Sequence, residues 1–320
     1  MFDFFYLAGG LVVIVFCAGL LVDGSSSLAK KFGLSDLLIG LTVVALGTSA
    51  PEMTVNIFSA LRGSSDVGIG SVIGSNIGNI FLILGVSSVI YPMKIMTNTK
   101  WKEIPFSLLA AVVLWIMAND KLINGEAHSD FISRGDGLIL LCFMIIFFVY
   151  TFLMALKGGY TDSEDVNLIP LWKSLVFIAA GITGLVVGGK YMVEGAVNFA
   201  RIAGINEKTI GLTIVAIGTS LPELATSIVA AFKKKSDIAI GNVVGSNIFN
   251  IFLILGSAII VRPAPVSLGS NIDMLIALFA GLILFISTFT LKHRTIGRIE
   301  GGVFLIFYAS YIFYLIKIQL

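Results

Sequence analysis

The chain has 320 residues, of which 57% are apolar and 12% charged, and its mean hydropathy is +0.99. Soluble domains carry about 25% charged residues, so this composition excludes the water-soluble classes and describes a polytopic membrane protein. Lys and Arg (21) nearly balance Asp and Glu (19), and a net charge of +2 gives no reason to expect nucleic acid as a partner.

At about 20 residues per span the length accommodates about ten helices. The apolar runs fall at 4–22, 36–60, 67–91, 103–118, 137–156, 172–193, 207–232, 238–261, 272–291 and 299–317. Runs this long and continuous are helices, because only helices and closed barrels satisfy their backbone in lipid. The first has no basic stretch before it and no cleavage site, so it reads as a span that is retained. The fourth is short. The second, third, seventh and eighth are interrupted by glycine, proline and small polar residues.

The longest connectors are 119–136 and 157–171, and neither is large enough for a catalytic domain. Asp162, Glu164 and Asp165 in the second read as a solvated acidic loop. Cys17 and Cys142 lie in separate apolar runs and read as small core residues. His128 and His293 fall in polar connectors, and no zinc, Walker or dinucleotide motif occurs. Thirteen Lys and Arg lie on the side reached after the first span and eight on the side of the N-terminus. That asymmetry predicts that both termini are extracytoplasmic.

The strongest signal is a repeat. Residues 33–85 match residues 204–256 without a gap at an offset of 171, with 30 identities in 53 pairs. The match extends upstream to Val22-Asp23-Gly24 and Val193-Glu194-Gly195. The second and seventh spans are five apart, an odd number, so equivalent helices cross the membrane in opposite directions. The predicted fold is an all-α membrane protein of ten transmembrane helices, arranged as two inverted five-helix repeats. One repeat covers 1–156, a short cytoplasmic linker 157–171, and the other repeat 172–320. Such architecture belongs to secondary transporters, which hold substrate near the midplane between the repeats.

Within the second span stands Gly47-Thr48-Ser49-Ala50-Pro51-Glu52, and within the seventh Gly218-Thr219-Ser220-Leu221-Pro222-Glu223. Proline inside a helix removes a donor and clashes with the preceding turn. Each helix is expected to stop near its glycine and restart with Ser49 or Ser220 as cap. The Ser49–Glu52 and Ser220–Glu223 spacings also match a capping box. A carboxylate at bilayer depth is costly and usually functional, and no basic residue is evident at matching depth. A cation is the expected partner of Glu52 and Glu223.

The third span carries Gly74-Ser75-Asn76-Ile77-Gly78-Asn79, and the eighth Gly245-Ser246-Asn247-Ile248-Phe249-Asn250. Ser75 and Asn79 share a helix face, as do Ser246 and Asn250. Asn56 and Ser227 extend the faces of the two glutamates. Asn76 and Asn247 point elsewhere on their helices and fit interhelical contacts better. The donors are therefore carboxylate, hydroxyl, amide and freed carbonyl oxygens, the last expected around Ala45–Gly47 and Ala216–Gly218. An all-oxygen set suits Ca²⁺ or Na⁺ and not a soft metal.

The paired GTSxPE and GSNIxN segments resemble the two alpha-repeats of the calcium/cation antiporter superfamily, most closely its prokaryotic sodium/calcium exchanger branch. The resemblance implies Na⁺/Ca²⁺ antiport by alternating access, with the first and sixth helices sliding over a core of the second, third, seventh and eighth. It implies carboxylate ligands at Glu52 and Glu223, and hydroxyl or carbonyl ligands at Thr48, Ser49, Thr219 and Ser220. Central ligands are implied at Ser75, Asn79, Ser246 and Asn250. Relatives often carry an aspartate at one central position, whereas Asn79 and Asn250 are both amides here. No cofactor, no protein partner and a monomer are expected, with Ca²⁺ and Na⁺ as transported substrates. A Ca²⁺/H⁺ antiporter using the same glutamates and a cation channel are the alternatives; an enzyme is disfavoured because no nucleophile or metal cluster accompanies the glutamates.

Overall fold

The computed structural model describes residues 2–63, 65–125, 130–157, 168–202, 216–290 and 295–319. The acidic loop, both histidines and the start of the seventh predicted span lie outside the described residues. Among the described residues seven helices are long and apolar enough to cross a membrane, and a bent pair, Asp36–Thr48 and Ala50–Arg62, makes an eighth. The shorter apolar helices Glu103–Met117 and Leu221–Phe232 occupy the fourth and seventh predicted spans. The chain is an all-α, multi-span membrane protein.

The first span, Phe2–Phe32, and the sixth, Leu171–Ile202, both run ten or so residues beyond their predicted ends at 22 and 193. Hydropathy ended them early because their distal turns are polar. The distal turns of the first are covered at the start of the sixth: Ser174 Oγ donates to Ser27 Oγ at 3.1 Å, and Ser27 also accepts from Ile169 N–H at 3.1 Å. At 1.5 Å per residue each helix is about 45 Å long, well over the ~30 Å hydrocarbon thickness. They lie antiparallel in close contact. A Cβ on Gly10 would stand 2.8 Å from Gly188 O, and one on Gly181 2.9 Å from Leu21 N. Glycine at these positions is what lets the two backbones touch.

The third span is continuous, Ser65–Gly78 passing into a π-helical stretch Asn79–Leu84 and then Gly85–Ile90. The eighth is built alike, as Ser236–Ile248, Phe249–Leu255 and Gly256–Val261. Neither is broken, so Ser75 and Asn79, and Ser246 and Asn250, lie on continuous helices. Their glycines instead serve packing: a Cβ on Gly241 would stand 2.8 Å from Leu37 O, and one on Gly245 2.7 Å from Leu41 O. Nearly every residue of the eighth span from Ile238 to Phe252 is buried, so it forms the axis of the molecule. The π stretches begin at or beside Asn79 and Asn250, where an extra residue per turn re-aims side chains.

The halves interlock. Strand β1 (Met93–Lys94) pairs with β4 (Thr295–Ile296), and β2 (Phe131–Ile132) with β3 (Ala264–Pro265). Each pair takes one strand from either half. The fifth span, Arg134–Leu156, packs through Gly137 against Gly256, and the tenth, Arg298–Gln319, through Gly301 against Gly85. These contacts are equivalents, since 85 and 256 differ by the repeat offset. The ninth span, Leu268–Thr290, lies against the fourth, with Gly281 facing Leu108.

One departure from symmetry matters. The first span packs along Leu221–Phe232, but the sixth has no comparable packing on the equivalent Ala50–Arg62. Lys233 at the end of the seventh span pairs with Asp23 of the first at 2.6 Å. Their repeat equivalents are Arg62 and Glu194, and Glu194 instead faces Lys190 of its own helix at 4.0 Å.

Gly181→Ala, which crowds backbone and Leu21, is expected to destabilise the protein by about 1–3 kcal/mol. Gly189→Ala, where nothing stands within 4 Å of the added Cβ, serves as the control. Thermal unfolding in detergent is the measurement, with a lower midpoint for the first variant only.

Candidate cation-binding site

The second span bends by 46° at its break. Ser49 is the junction residue (φ −81°, ψ 7°), and Pro51 sits in the first turn of the new helix, where its missing N–H costs nothing. The seventh span repeats this with Ser220 (φ −89°, ψ 7°) and Pro222. Neither serine caps its own helix through its side chain, so the expected capping boxes do not form. The hydroxyls point across the repeat boundary instead. Ser49 Oγ donates to Glu223 Oε1 at 2.9 Å, and Ser220 Oγ donates to Glu52 Oε1 at 3.3 Å. Side chains of Ile182 and Val193 on the sixth span cover Gly47 and Gly218, leaving no room for a Cβ at either break.

Glu52 is 0% exposed and Glu223 1%. They lie close enough to interact electrostatically, with Thr219 and Thr48 as further polar neighbours of Glu52 and Glu223 respectively. Among the described residues no Lys or Arg pairs with either carboxylate. Burying an unpaired carboxylate costs several kcal/mol, so two facing each other require a positive partner or a shared proton.

The central residues join the same cluster. Ser75 Oγ lies 3.1 Å from Ser220 Oγ, and Ser246 Oγ lies 3.1 Å from Ser49 Oγ. Asn250 Nδ2 donates to Ser75 Oγ at 3.2 Å. Asn79 is tied in through Asn247, whose Oδ1 accepts its Nδ2 at 2.9 Å. All ten residues singled out from the sequence thus fall in one region between the halves: Thr48, Ser49, Glu52, Ser75, Asn79, Thr219, Ser220, Glu223, Ser246 and Asn250. The carbonyl of Ala45, one of the expected backbone donors, already accepts from Ser49 N–H at 3.0 Å and from Thr48 Oγ1 at 3.3 Å.

Four buried oxygens in the cluster have no hydrogen-bond partner: Glu52 Oε2, Glu223 Oε2, Asn79 Oδ1 and Asn250 Oδ1. They form two symmetry-related pairs. Buried acceptors are nearly always satisfied in folded proteins, so this orphaned set needs a ligand that accepts electron pairs. Two formal negative charges and neutral oxygens match a hard cation.

Two roles were not legible from the motifs. Asn242 braces the seventh span: its Oδ1 accepts from Thr48 Oγ1 at 3.1 Å, and its Nδ2 donates to Ser227 Oγ at 3.0 Å and Glu223 O at 3.3 Å. Its place four residues before Ser246 puts it on the site-facing side of the eighth span, a signal that spacing alone carried. Asn76 and Asn247 make the interhelical contacts expected of them, and those contacts run to the site: both are buried and hydrogen-bond to the site-bearing helix of the opposite repeat.

The family model described as sodium/calcium exchanger protein matches residues 2–153 and 173–317. The chain belongs to the sodium/calcium exchanger family. It is 34% identical to a putative antiporter, CaxA, of Alkalimonas amylolytica, over 94% of this chain and 95% of that protein. It is 32% identical to the sodium/calcium exchanger MaX1 of Methanosarcina acetivorans, over 97% of each. The solved structure of the sodium-calcium exchanger NCX_Mj superposes with a TM-score of 0.83 at 32% identity, over 97% of each chain. The fold is therefore that of this exchanger family, and the protein is a membrane transporter, not a catalytic enzyme.

Asn242→Ala leaves Thr48 Oγ1, Ser227 Oγ and Glu223 O without a shared partner. A loss of about 1–3 kcal/mol is expected for groups orphaned in this way. Thermal unfolding of the purified protein measures it, as a midpoint lowered by several degrees.

Proposed function

We propose that this protein exchanges Na⁺ for Ca²⁺ by alternating access, with the ions held between Glu52 and Glu223. The observation that carries the reading is the orphaned oxygen set, two carboxylate and two amide, converging from both halves with no basic partner among the described residues. The ligands in this reading are Glu52, Glu223, Asn79 and Asn250, with hydroxyl support from Thr48, Ser49, Ser75, Thr219, Ser220 and Ser246. One Ca²⁺ neutralises the two glutamates. Na⁺ ions sharing the same oxygens at displaced positions compete with it, so each ion drives the other off and no chemistry occurs on the protein. The residues 1–156 and 172–320 act as the two repeats, with 157–171 as their linker. A single chain holds the complete ligand set, which supports a monomer. The excess of Lys and Arg on the side reached after the first span supports extracytoplasmic termini.

Alternating access needs the paired first and sixth helices to seal the core first on one side, then on the other. The asymmetry of packing supports a state closed where Lys233 meets Asp23. In the opposite state the sixth span would seal the other side, with Arg62 meeting Glu194 in the equivalent contact. The pair is partly exposed, so its strength is modest, on the order of 1 kcal/mol or less. Asp23→Lys is expected to slow exchange severalfold, and Lys233→Asp in the same chain to restore it. Ca²⁺ flux in proteoliposomes is the readout; equal rates in all three proteins would remove the pair from the gate.

Glu52→Gln and Glu223→Gln are each expected to reduce Ca²⁺ transport to near background while the protein still folds. Wild-type rates in these variants would contradict the site. The rival counter-ion is H⁺, taken up by the same glutamates. An imposed Na⁺ gradient, with the pH gradient collapsed, is expected to drive Ca²⁺ uptake; uptake driven only by a pH gradient would make the protein a Ca²⁺/H⁺ antiporter.

A further inference from the structure

An asparagine side chain can present either its oxygen or its NH₂ group in one and the same position, since the two ends have nearly equal size. A cation accepts only the oxygen. A site with Asn79 and Asn250 at its centre therefore needs something that decides which way each amide faces. That decision lies outside the two asparagines themselves.

It is made across the repeat boundary. Asn79 Nδ2 donates to Asn247 Oδ1 at 2.9 Å, and Asn250 Nδ2 donates to Asn76 Oδ1 at 3.0 Å. Asn76 and Asn247 are equivalents at the repeat offset, and both are buried. Asn76 is fixed in its turn, because its own Nδ2 donates to the backbone oxygen of Asn247 at 3.2 Å. With each Nδ2 occupied on the far side, Asn79 Oδ1 and Asn250 Oδ1 are left buried and unpartnered, in the same orphaned set as the glutamate oxygens. Turning either amide over would lose the bond to the opposite asparagine and bring two oxygens together.

We infer that Asn76 and Asn247 are positioning residues, each orienting the central amide of the opposite repeat so that its oxygen faces the cation. This rests on the reading of Asn79 and Asn250 as ligands and deepens it. It also means that neither half can orient its own amide ligand: the third span needs the eighth, and the eighth the third. Asn76 and Asn247 need not touch the ion. Their effect passes entirely through their partners, and that separates them from a generic contact between two helices.

The test is a pair of double-mutant cycles on full-length protein in proteoliposomes, reading Ca²⁺ KM and kcat separately. Asn247→Ala and Asn76→Ala are each expected to raise the Ca²⁺ KM about tenfold, the cost of freeing one buried amide. In the Asn79→Ala background Asn247→Ala is expected to add nothing, and likewise Asn76→Ala in the Asn250→Ala background. Additive effects in both cycles would overturn the inference, because residues that act independently add. If Asn79→Ala and Asn250→Ala themselves leave KM unchanged, the ligand reading fails, and the inference fails with it. Should the alanine variants not fold, Asn76→Asp decides the matter. It keeps the oxygen that accepts from Asn250 and loses the nitrogen that binds the Asn247 carbonyl. Ca²⁺ binding no weaker than wild type, by calorimetry, supports a role through the acceptor; binding weakened about tenfold would show that only the helix contact mattered.

Discussion

Two buried carboxylates that face each other, with no lysine or arginine paired to them among the described residues, set the central electrostatic demand of this molecule. Left alone, Glu52 and Glu223 would repel one another and each would bear its own desolvation cost. The fold answers by placing serine hydroxyls from the opposite half on one oxygen of each, and leaving the other oxygen free. Such a centre is stable when a cation occupies it and strained when nothing does.

The inverted repeat explains how one centre can serve both sides. Equivalent residues approach from opposite directions, and three pairs of polar bonds at the site are related by the offset of 171. Ser49 reaches Glu223 as Ser220 reaches Glu52; Asn79 reaches Asn247 as Asn250 reaches Asn76. The symmetry is kept in the core, where the ions would sit, and abandoned at the rim, where Asp23 has a partner and Glu194 does not have the equivalent one. A rigid, symmetric centre with an asymmetric rim is what rocking between two states requires. The glycine-lined contact between the first and sixth helices lets them behave as one body.

Much of this was legible in the chain itself. Ungapped identity at Gly, Pro, Glu, Ser and Asn positions marked the repeat, the breaks and the ten candidate ligands, because chemistry that must appear twice leaves two copies. What hydropathy missed were features decided by tertiary contact. The first and sixth helices continue past their apolar cores, the first because the start of the sixth covers its polar distal turns. The third and eighth, studded with glycine, stay unbroken, and Gly85, Gly241 and Gly245 are placed where backbone of a neighbouring helix comes close. Ser49 and Ser220 have capping-box spacing, but a carboxylate across the interface is a better acceptor partner than the local N–H is a donor. Spacing within the eighth span could place Asn242 on the site-facing side, but the partners of Asn242, Asn76 and Asn247 across the repeat boundary lie far away in sequence and are not revealed by it.

The central claim is that one Ca²⁺ is shared by carboxylates from both halves. Crystals soaked in Ca²⁺ and measured for anomalous scattering test it most directly. The account predicts a single strong peak in the core, with oxygens of both Glu52 and Glu223 at about 2.3–2.6 Å. A peak bound by only one of the two glutamates, or a fully soaked core with no peak between them, would contradict it.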